Sequence, residues 1–205
     1  MAISTEPVAI SPTIVAATRL EAREVRRACP RARVVQTGVG LAYARGDELG
    51  DVVVSCGLAG ALDIGLHTGA VLVPHVVLRP DGEVLECDRV LVGALEEAAR
   101  RLGHVPVQGP LVTCASLIVG DARHAWHQRG YIGVDMETGL IRATRIAAVR
   151  VVLDTPGHEL DAAWLRPISV VMHPAAWRQV RWLRREAPRC ARIAAAIVAA
   201  ALNLA

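Results

Sequence analysis

Residues 51–63 read Asp-Val-Val-Val-Ser-Cys-Gly-Leu-Ala-Gly-Ala-Leu-Asp, a β-branched apolar run that leads directly into a glycine-rich segment. We predict a buried strand over Asp51–Cys56 that ends at Gly57 and Gly60. A strand that is apolar throughout is typical of a parallel sheet covered on both faces. In such sheets ligands bind beyond the carboxyl ends of the strands, where glycines let the backbone come close. This stretch therefore predicts an α/β fold with a binding site after this strand.

The rest of the chain alternates similar short strands with helical patterns. Further strands are predicted at Thr13–Ala17, Arg33–Thr37, Ala70–Leu78, Leu111–Cys114, Tyr131–Val134 and Ala147–Leu153. Helices are predicted at Arg19–Ala28, Val90–Leu102 and Glu137–Arg145. Because the chain has no internal repeat or Ser/Gly linker, we expect a single three-layer α/β/α domain with a mixed, mostly parallel central sheet. Residues 1–174 would form its body, and residues 175–205 a helical segment of the same domain.

Composition narrows the possible classes of protein. Hydrophobic residues make up 53% of the 205 and charged residues 21%, which excludes disorder. The net charge of +3 is too small to indicate a nucleic-acid partner. The five cysteines are widely spaced without a C-x-x-C pair, which indicates reduced thiols rather than disulfides or a zinc site. No signal peptide is recognisable, so we expect a cytoplasmic protein.

The C-terminal segment differs from the body in composition. Its arginines and tryptophans are Arg178, Arg181, Arg184, Arg185, Arg189, Arg192, Trp177 and Trp182. A nearly all-apolar stretch follows them, and we expect Pro188 to divide the segment into two helices. The first interpretation is a closing helix packed on the sheet with a solvated arginine face. The alternative is an interfacial helix that contacts a membrane surface, peripheral to the inner membrane, since Arg and Trp beside an apolar face fit that class.

Two further motifs place glycines or carboxylates next to strands. Thr37–Gly40 is a second glycine turn, and Gly133–Gly139 contains Glu137 at the start of a predicted helix. The strand Ala147–Leu153 delivers Asp154 at its carboxyl end. Carboxylates at strand ends suit acid–base chemistry.

The order of these motifs resembles the purine nucleoside phosphorylase/nucleosidase superfamily from about Ile14 to Asp161. The motifs are a strand ending in G-x-G, a strand ending in G-x-A-G-A-L-D, a V-D-M-E helix start and a V-R-V-V-L-D strand end. The V-D-M-E-T version, the short length and the Arg-rich tail look most like the hopanoid-associated phosphorylases.

The resemblance implies a role for each residue. Asp154 would protonate the departing purine, Glu137 would bind the ribose hydroxyls above Met136, and Glu21 would activate the attacking water. Asp154 could instead cap a helix, Glu137 could be an ordinary first-turn acid, and Glu21 a surface glutamate. Asp135 is expected to point away from the pocket. The backbone expected to approach the substrate is that of Gly38, Gly57, Leu58, Ala59 and Gly60.

The sequence departs from the superfamily pattern at two places. The arginine and serine that grip phosphate correspond here to Ser55 and Leu58, which weakens a phosphate site and leaves hydrolysis open. Phosphate is a conceivable co-substrate, and no other cofactor is implied. The segment Thr113–Ile118 lacks the aromatic residue that stacks on adenine, so Leu117 or Ile118 would form an apolar floor. We interpret His124 and His127 as surface or packing residues rather than metal ligands.

Together these residues predict an enzyme that releases adenine from a 5′-substituted adenosine. The subgroup resemblance implies adenosylhopane as substrate, and relatives of this kind assemble as homo-oligomers. The alternatives are a nucleosidase for methylthioadenosine, adenosylhomocysteine or futalosine, and a nucleoside-binding module without turnover.

Overall fold

The architecture is described by a computed structural model that covers residues 12–161 and 174–203. The strands in these ranges are β1 (Thr13–Ala16), β2 (Val34–Gln36), β3 (Val52–Ala61), β4 (Val71–Leu72), β5 (Val76–Leu78), β6 (Val84–Glu86), β7 (Pro106–Val107), β8 (Leu111–Thr113), β9 (Gly133–Asp135) and β10 (Arg145–Asp154). The helices are α1 (Arg19–Ala28), α2 (Arg89–Arg101), α3 (Asp121–Gln128) and α4 (Pro174–Leu202), with short 3-10 turns at Val39–Leu41 and Thr138–Leu140.

The strands form one mixed sheet in the order β6-β5-β8-β9-β3-β10-β4-β7, with β1 on β3 and β2 on β1. Among the described strands, β3–β9, β10–β4 and β5–β6 pair antiparallel and the other pairs are parallel. The long strands β3 and β10 lie side by side at the centre. The predicted mixed, mostly parallel sheet is therefore confirmed.

Apolar side chains cover the sheet on both faces. The larger core lies under α1, α2 and α4, with α4 packed on β3 and β10 and contributing Ile197 and Val198. A second core on the other side of the sheet includes Val53 and Ile141. A third joins Val112 to Trp126 of α3. These layers give the predicted α/β/α arrangement.

Helix α1 begins where the sequence predicts because its first turn caps itself. The Thr18 side chain accepts a hydrogen bond from the Glu21 backbone, and the Glu21 carboxylate accepts one from the Thr18 backbone. Such a capping box satisfies two backbone donors and contributes about 1 kcal/mol. It also fixes the direction in which the Glu21 side chain leaves the helix.

The glycine-rich segment is the first correction to the predicted elements. Strand β3 does not end at Cys56 but runs on to Ala61, so that Gly57 and Gly60 lie within the strand. A Cβ atom on Gly57 would lie 2.5 Å from Glu21 Oε1, which is closer than real side chains approach. Glycine is needed here for close packing and not for a turn.

Two other predicted elements of the body also differ. The strand predicted at Ala70–Leu78 is two strands, because Pro74 between them cannot donate a ladder hydrogen bond and the pairing partners change. The helix predicted at Glu137–Arg145 is only a 3-10 turn, because Ile141 is extended and enters the second core.

The C-terminal segment is one helix rather than two. Pro188 lies inside α4, and the residues after it, from Cys190 to Ala199, pack into the main core, which holds the helix together across the proline. The ring of Trp182 stacks on His158 at 4.3 Å. The side chains of Trp177 and Arg178 lie outside the described residues.

Candidate active site

An open cavity of about 160 Å³ lies where β1, β3, β9 and β10 converge. The predicted site residues that line it are Glu21, Leu58, Ala59, Gly60, Leu117, Met136, Glu137 and Asp154. A smaller cavity continues from it past Gly60 and Leu117, and is lined in addition by Ser116, Ile118 and Arg123. Gly38 and Gly57 line neither cavity, since Gly38 packs under the Tyr43 ring and Gly57 against Glu21.

The Glu21 carboxylate is held from two sides. Its Oε2 accepts hydrogen bonds from the Thr18 backbone at 2.7 Å and from the Thr18 hydroxyl at 2.6 Å. Its Oε1 accepts one at 2.8 Å from the backbone N–H of Leu58 in β3. Glu21 is only 5% exposed, so it is a cavity carboxylate and not a surface glutamate. The bonds leave lone pairs on the carboxylate that a further donor in the cavity can use.

Glu137 faces Glu21 across the cavity. Its Oε1 accepts a hydrogen bond at 3.1 Å from Gly40 N–H, in the 3-10 turn after β2. Its Oε2 lies 3.9 Å from the Arg150 guanidinium. Burial, reinforced by the neighbouring charge of Asp135, raises the pKa of Glu137 to about 7. Glu137 caps no helix with its side chain, so the interpretation as an ordinary first-turn acid is not supported.

Asp154 ends β10 beside the smaller cavity and is nearly buried. Its carboxylate pairs with Arg123 of α3, which reaches across the strand ends, and also accepts a hydrogen bond from the Leu160 backbone. Burial raises the pKa of Asp154, and the Arg123 charge opposes part of that rise. A carboxyl group with a raised pKa at a cavity wall is suited to deliver a proton.

Arg150 lies beneath the cavity floor as the centre of a buried polar network. Its guanidinium donates hydrogen bonds to Asp135 at 2.8 Å, to Ser55 Oγ at 2.7 Å and to Thr138 Oγ1 at 2.8 Å. The Asp135 carboxylate also accepts a hydrogen bond at 2.6 Å from Thr113. Asp135 lines both cavities, but its carboxylate is directed into the network. The network fixes Arg150 so that its charge acts on both Glu21 and Glu137.

Aliphatic side chains form the remaining walls. Leu117 lies between the two cavities and Ile118 lines the smaller one, together with Met136. Among the described residues, no aromatic ring lines either cavity. An apolar floor of this kind can contact a purine ring by dispersion without stacking.

Both histidines of α3 lie away from any cluster of metal-ligating side chains. His124 is exposed and its Nε2 lies 2.8 Å from Gln128 Nε2. The His127 ring is half-buried. In the ranges that the structure covers, no three His, Cys, Asp or Glu side chains are grouped to hold a metal ion.

Known proteins resemble this chain in structure rather than in sequence. No protein-family model matches it, and a search of curated proteins gave no match. The native futalosine hydrolase of Helicobacter pylori strain 26695 matches with a TM-score of 0.67 and 13% identity, over 94% of this chain and 97% of that chain. The 5′-methylthioadenosine/S-adenosylhomocysteine nucleosidase of Neisseria meningitidis, in complex with methylthio-immucillin-A, gives 0.65 and 19%, over 92% and 96%. The corresponding nucleosidase of Colwellia psychrerythraea 34H, in complex with adenine, gives 0.68 and 15%, over 94% of both chains.

The chain has the fold of these nucleosidases. At such identities the likeness establishes the architecture, and the chemistry is argued from the residues that this chain places in its cavity.

On this nucleosidase fold, two buried arginines that contact the candidate site residues are not predicted from the sequence. Arg150 stands within the quoted V-R-V-V-L-D motif, so its position in a buried strand was a signal that it needed buried partners. Arg123 gave no such signal, because it lies in a short helix among other polar residues and its partner Asp154 is 31 residues away.

Proposed function

We propose that this protein hydrolyses the N-glycosidic bond of a 5′-substituted adenosine and releases adenine. The observation that carries the proposal is the placing of three buried carboxyl groups, Glu21, Glu137 and Asp154, around one open cavity with a different partner for each. Different environments assign different protonation states, and hence different roles, to chemically similar groups.

Asp154 is the general acid of this proposal. When the C1′–N9 bond breaks, its electron pair moves to the purine, and the Asp154 proton is transferred to the purine N7. The apolar side chains of Leu117 and Ile118 would hold the base in the smaller cavity beside Asp154. A proton delivered to the leaving group raises the rate of its departure by about 10²–10⁴-fold.

Glu21 is the general base. As positive charge develops at C1′, a water molecule attacks this carbon, and the Glu21 carboxylate takes the proton that the water loses. The hydrogen bonds from Thr18 and Leu58 orient the carboxylate. The products are adenine and a pentose with a hydroxyl group at C1′, so that atoms and protons balance.

Glu137 binds the sugar hydroxyls. Its Oε1 is oriented by the Gly40 N–H and its Oε2 by the charge of Arg150, which leaves the carboxyl group at the wall of the cavity. Hydrogen bonds from two neighbouring hydroxyls to one carboxylate are charge-assisted and fix the orientation of the sugar.

Two contacts support hydrolysis over phosphorolysis. A phosphate at the glycine segment would need free backbone N–H groups and hydroxyls, but the Leu58 N–H is donated to Glu21 and the Ser55 hydroxyl accepts from Arg150. The Glu21 carboxylate would also repel a phosphate at this position. Water, which is neutral and small, meets neither obstacle.

The substrate is proposed at two levels of detail. The names of the solved neighbours described above refer to methylthioadenosine, adenosylhomocysteine and futalosine. Each of these purine nucleosides is a substrate to test. The resemblance to hopanoid-associated phosphorylases adds adenosylhopane. The aliphatic side chains Ala17, Val39, Leu58 and Leu160 in the lining of the larger cavity support an apolar 5′ substituent, because they offer it a surface to pack against.

The decisive experiment is to follow release of the purine base from these four nucleosides, which is hypoxanthine for futalosine and adenine for the other three, with and without phosphate. We expect release that is independent of phosphate and a free reducing sugar as co-product. Formation of a sugar 1-phosphate would replace hydrolysis by phosphorolysis. Nucleoside binding without release from any of the four would instead identify a binding module.

We also propose that the chain forms a homo-oligomer and contacts membranes only peripherally. No described helix is long and apolar enough to cross a membrane. The exposed arginines of α4, among them Arg181, Arg184 and Arg185, support attraction to anionic headgroups. Light scattering after size-exclusion chromatography tests the oligomer.

A further inference from the structure

Arg123 is a fully enclosed cation, which is unusual for a charged side chain of a short helix. It is 2% exposed and is the largest of the fully buried side chains in the described residues. An arginine buried in this way is costly unless each part of its guanidinium has a partner. Its contacts therefore indicate what it is buried for.

The guanidinium contacts three separate segments of the chain at the wall of the smaller cavity. Nη1 donates a hydrogen bond at 2.6 Å to the Ala61 carbonyl at the end of β3, and Nη2 donates one to the Asp154 carboxylate at the end of β10. Nε lies 3.3 Å from Glu159 Oε1 but makes no hydrogen bond. The same Glu159 oxygen accepts a hydrogen bond at 2.7 Å from Gly120, directly before α3.

Arg123 and Gly60, together with the hydrogen bond from the Leu160 backbone, set the direction in which Asp154 points. Arg123 holds one carboxylate oxygen, Oδ2, while the other, Oδ1, faces Gly60, where a Cβ atom would lie only 3.1 Å away. A larger residue at position 60 would press on that oxygen. The carboxylate is thus confined between a cation and a bare backbone, and it faces the smaller cavity.

We infer that Arg123 is a positioning residue for the leaving-group acid: it fixes the Asp154 carboxylate at the cavity wall and, balanced by Glu159, sets the pH above which this acid has lost its proton. The inference rests on the proposed function, because it concerns the acid of that reaction. It assigns to α3 a function beyond packing, namely to carry the cation that controls the acid.

The charge balance around Asp154 decides the direction of the effect. Helix α3 carries Asp121, Arg123, His124 and His127, and the segment after β10 carries His158, Glu159 and Asp161. The remaining charged groups are Arg145 and Arg150 on β10 itself, and Glu21, Asp135 and Glu137 across the cavity. Among these, Arg123 makes direct contact and favours the ionised carboxylate, while burial favours the neutral acid. Glu159 weakens the influence of Arg123 because it shares the same guanidinium.

The test uses two variants that move the pH profile in opposite directions. The reaction needs Asp154 protonated, so kcat/KM falls as pH rises through the pKa of this acid. Removing a cation in contact with a carboxylate raises the pKa of that carboxylate by about 1–3 units. Arg123→Met should therefore shift the alkaline limb of the profile to higher pH by a similar amount. Glu159→Gln should shift the same limb to lower pH by up to about 1 unit, since Arg123 then acts on Asp154 without competition.

Arg123→Lys and Arg129→Met are the matched controls. Lysine keeps the charge but lacks the planar fork whose two nitrogens serve Ala61 and Asp154 in fixed directions, so kcat should fall about 10-fold or more with the limb nearly unchanged. Arg129 is an exposed cation at the end of the same helix, over the Trp126 ring, and its loss should leave the profile unmoved. An NMR titration of ¹³C-labelled carboxyl groups measures the pKa of Asp154 without turnover. Its signal is assigned as the one that is missing in Asp154→Asn.

The outcomes separate the two proposals. If the wild-type protein releases adenine but Arg123→Met lowers activity without moving either the limb or the carboxyl titration, Arg123 is only structural and the inference is wrong. If the wild-type protein releases adenine from none of the nucleosides, the proposed function fails. The carboxyl titration then still decides whether Arg123 controls Asp154. Thermal unfolding and circular dichroism show whether each variant is folded.

Discussion

The Glu21 carboxylate accepts a hydrogen bond at 2.8 Å from the backbone N–H of Leu58, although the two residues are 37 positions apart. This bond connects the first turn of α1 to the middle of β3, and only a glycine at position 57 allows the approach. The consequence is chemical as well as structural. The Leu58 N–H, which could otherwise bind an anion, is occupied, and the Glu21 carboxylate is fixed at the cavity.

Replacing Asp154 by Asn should abolish base release while leaving nucleoside binding largely intact. An amide has the shape of the acid but cannot donate the proton to the leaving base, so kcat should fall by about 10²–10⁴-fold. Single-turnover adenine release and calorimetric binding of a nucleoside measure the two effects separately. Turnover near that of the wild type would remove Asp154 from the role of acid.

Replacing Glu137 by Gln should harm 2′-hydroxyl nucleosides more than their 2′-deoxy counterparts. A charged acceptor is lost only where a hydroxyl donor exists, and a charge-assisted hydrogen bond is worth about 1.5–3 kcal/mol. The comparison of kcat/KM for each pair of nucleosides measures this difference. Equal losses on both members of the pair would make Glu137 a purely structural residue.

Replacing Glu21 by Gln should lower kcat by about 10²–10⁴-fold through loss of the base. Glutamine is compatible with a capping box, so α1 should remain folded. Glu24→Gln is the matched control, because Glu24 is also a buried acid of α1 but pairs with Arg23 at 2.8 Å and lines no part of the cavity. If both variants lose the same activity, the effect belongs to the helix and not to the carboxylate of Glu21.

The titration of Glu137 should appear in the stability of the protein. Its pKa of about 7 in the folded state lies above the ordinary value of 4.5, so the folded state holds this proton more tightly than the unfolded state does. The contribution to stability is therefore present below pH 4.5 and is lost as pH rises through 7. Glu137→Gln should remove at most about 3 kcal/mol of this pH dependence, because one pKa unit corresponds to about 1.4 kcal/mol.

Urea unfolding of the wild type and of Glu137→Gln at pH 5 and pH 8 measures this linkage. The variant should gain stability relative to the wild type at the higher pH. A difference between the two proteins that is the same at both pH values would show that Glu137 does not titrate in this range.

Association with anionic vesicles should be electrostatic and weak, because the apolar face of α4 is already packed in the core and Trp182 is stacked on His158. We expect sedimentation with anionic vesicles at low salt that disappears at high salt. Replacing Arg181, Arg184 and Arg185 by Ser should weaken it, since each contributes about 1 kcal/mol near the surface.

The matched control removes the same charge elsewhere, by replacing the exposed Arg26, Arg31 and Arg89 with Ser. If the wild-type protein stays in the supernatant at low salt, α4 is a closing helix and the membrane proposal fails.

The sequence by itself determined the central strands β1, β3 and β10, the helices α1 and α2, and which carboxylates follow them. Helix α1 spans the predicted residues because its capping box and its apolar spacing are local signals. Asp154 was predicted at a strand end because an apolar run, interrupted only by Arg150, precedes it. Glu21, Glu137 and Asp154 were also predicted as site residues. That prediction came from the order of four short motifs, which resembles the nucleoside phosphorylase/nucleosidase superfamily.

Only the tertiary structure decided what the segments do to one another. The glycine segment is strand instead of turn because β10 pairs along it and Glu21 packs against it, and neither partner is near in sequence. The helix α4 passes through Pro188 because the core holds the residues beyond it. Arg123 and Arg150 became distinguishable from the other arginines only by burial and by their partners. A guanidinium has the same chemistry at every position, and its surroundings determine which carboxylate it controls.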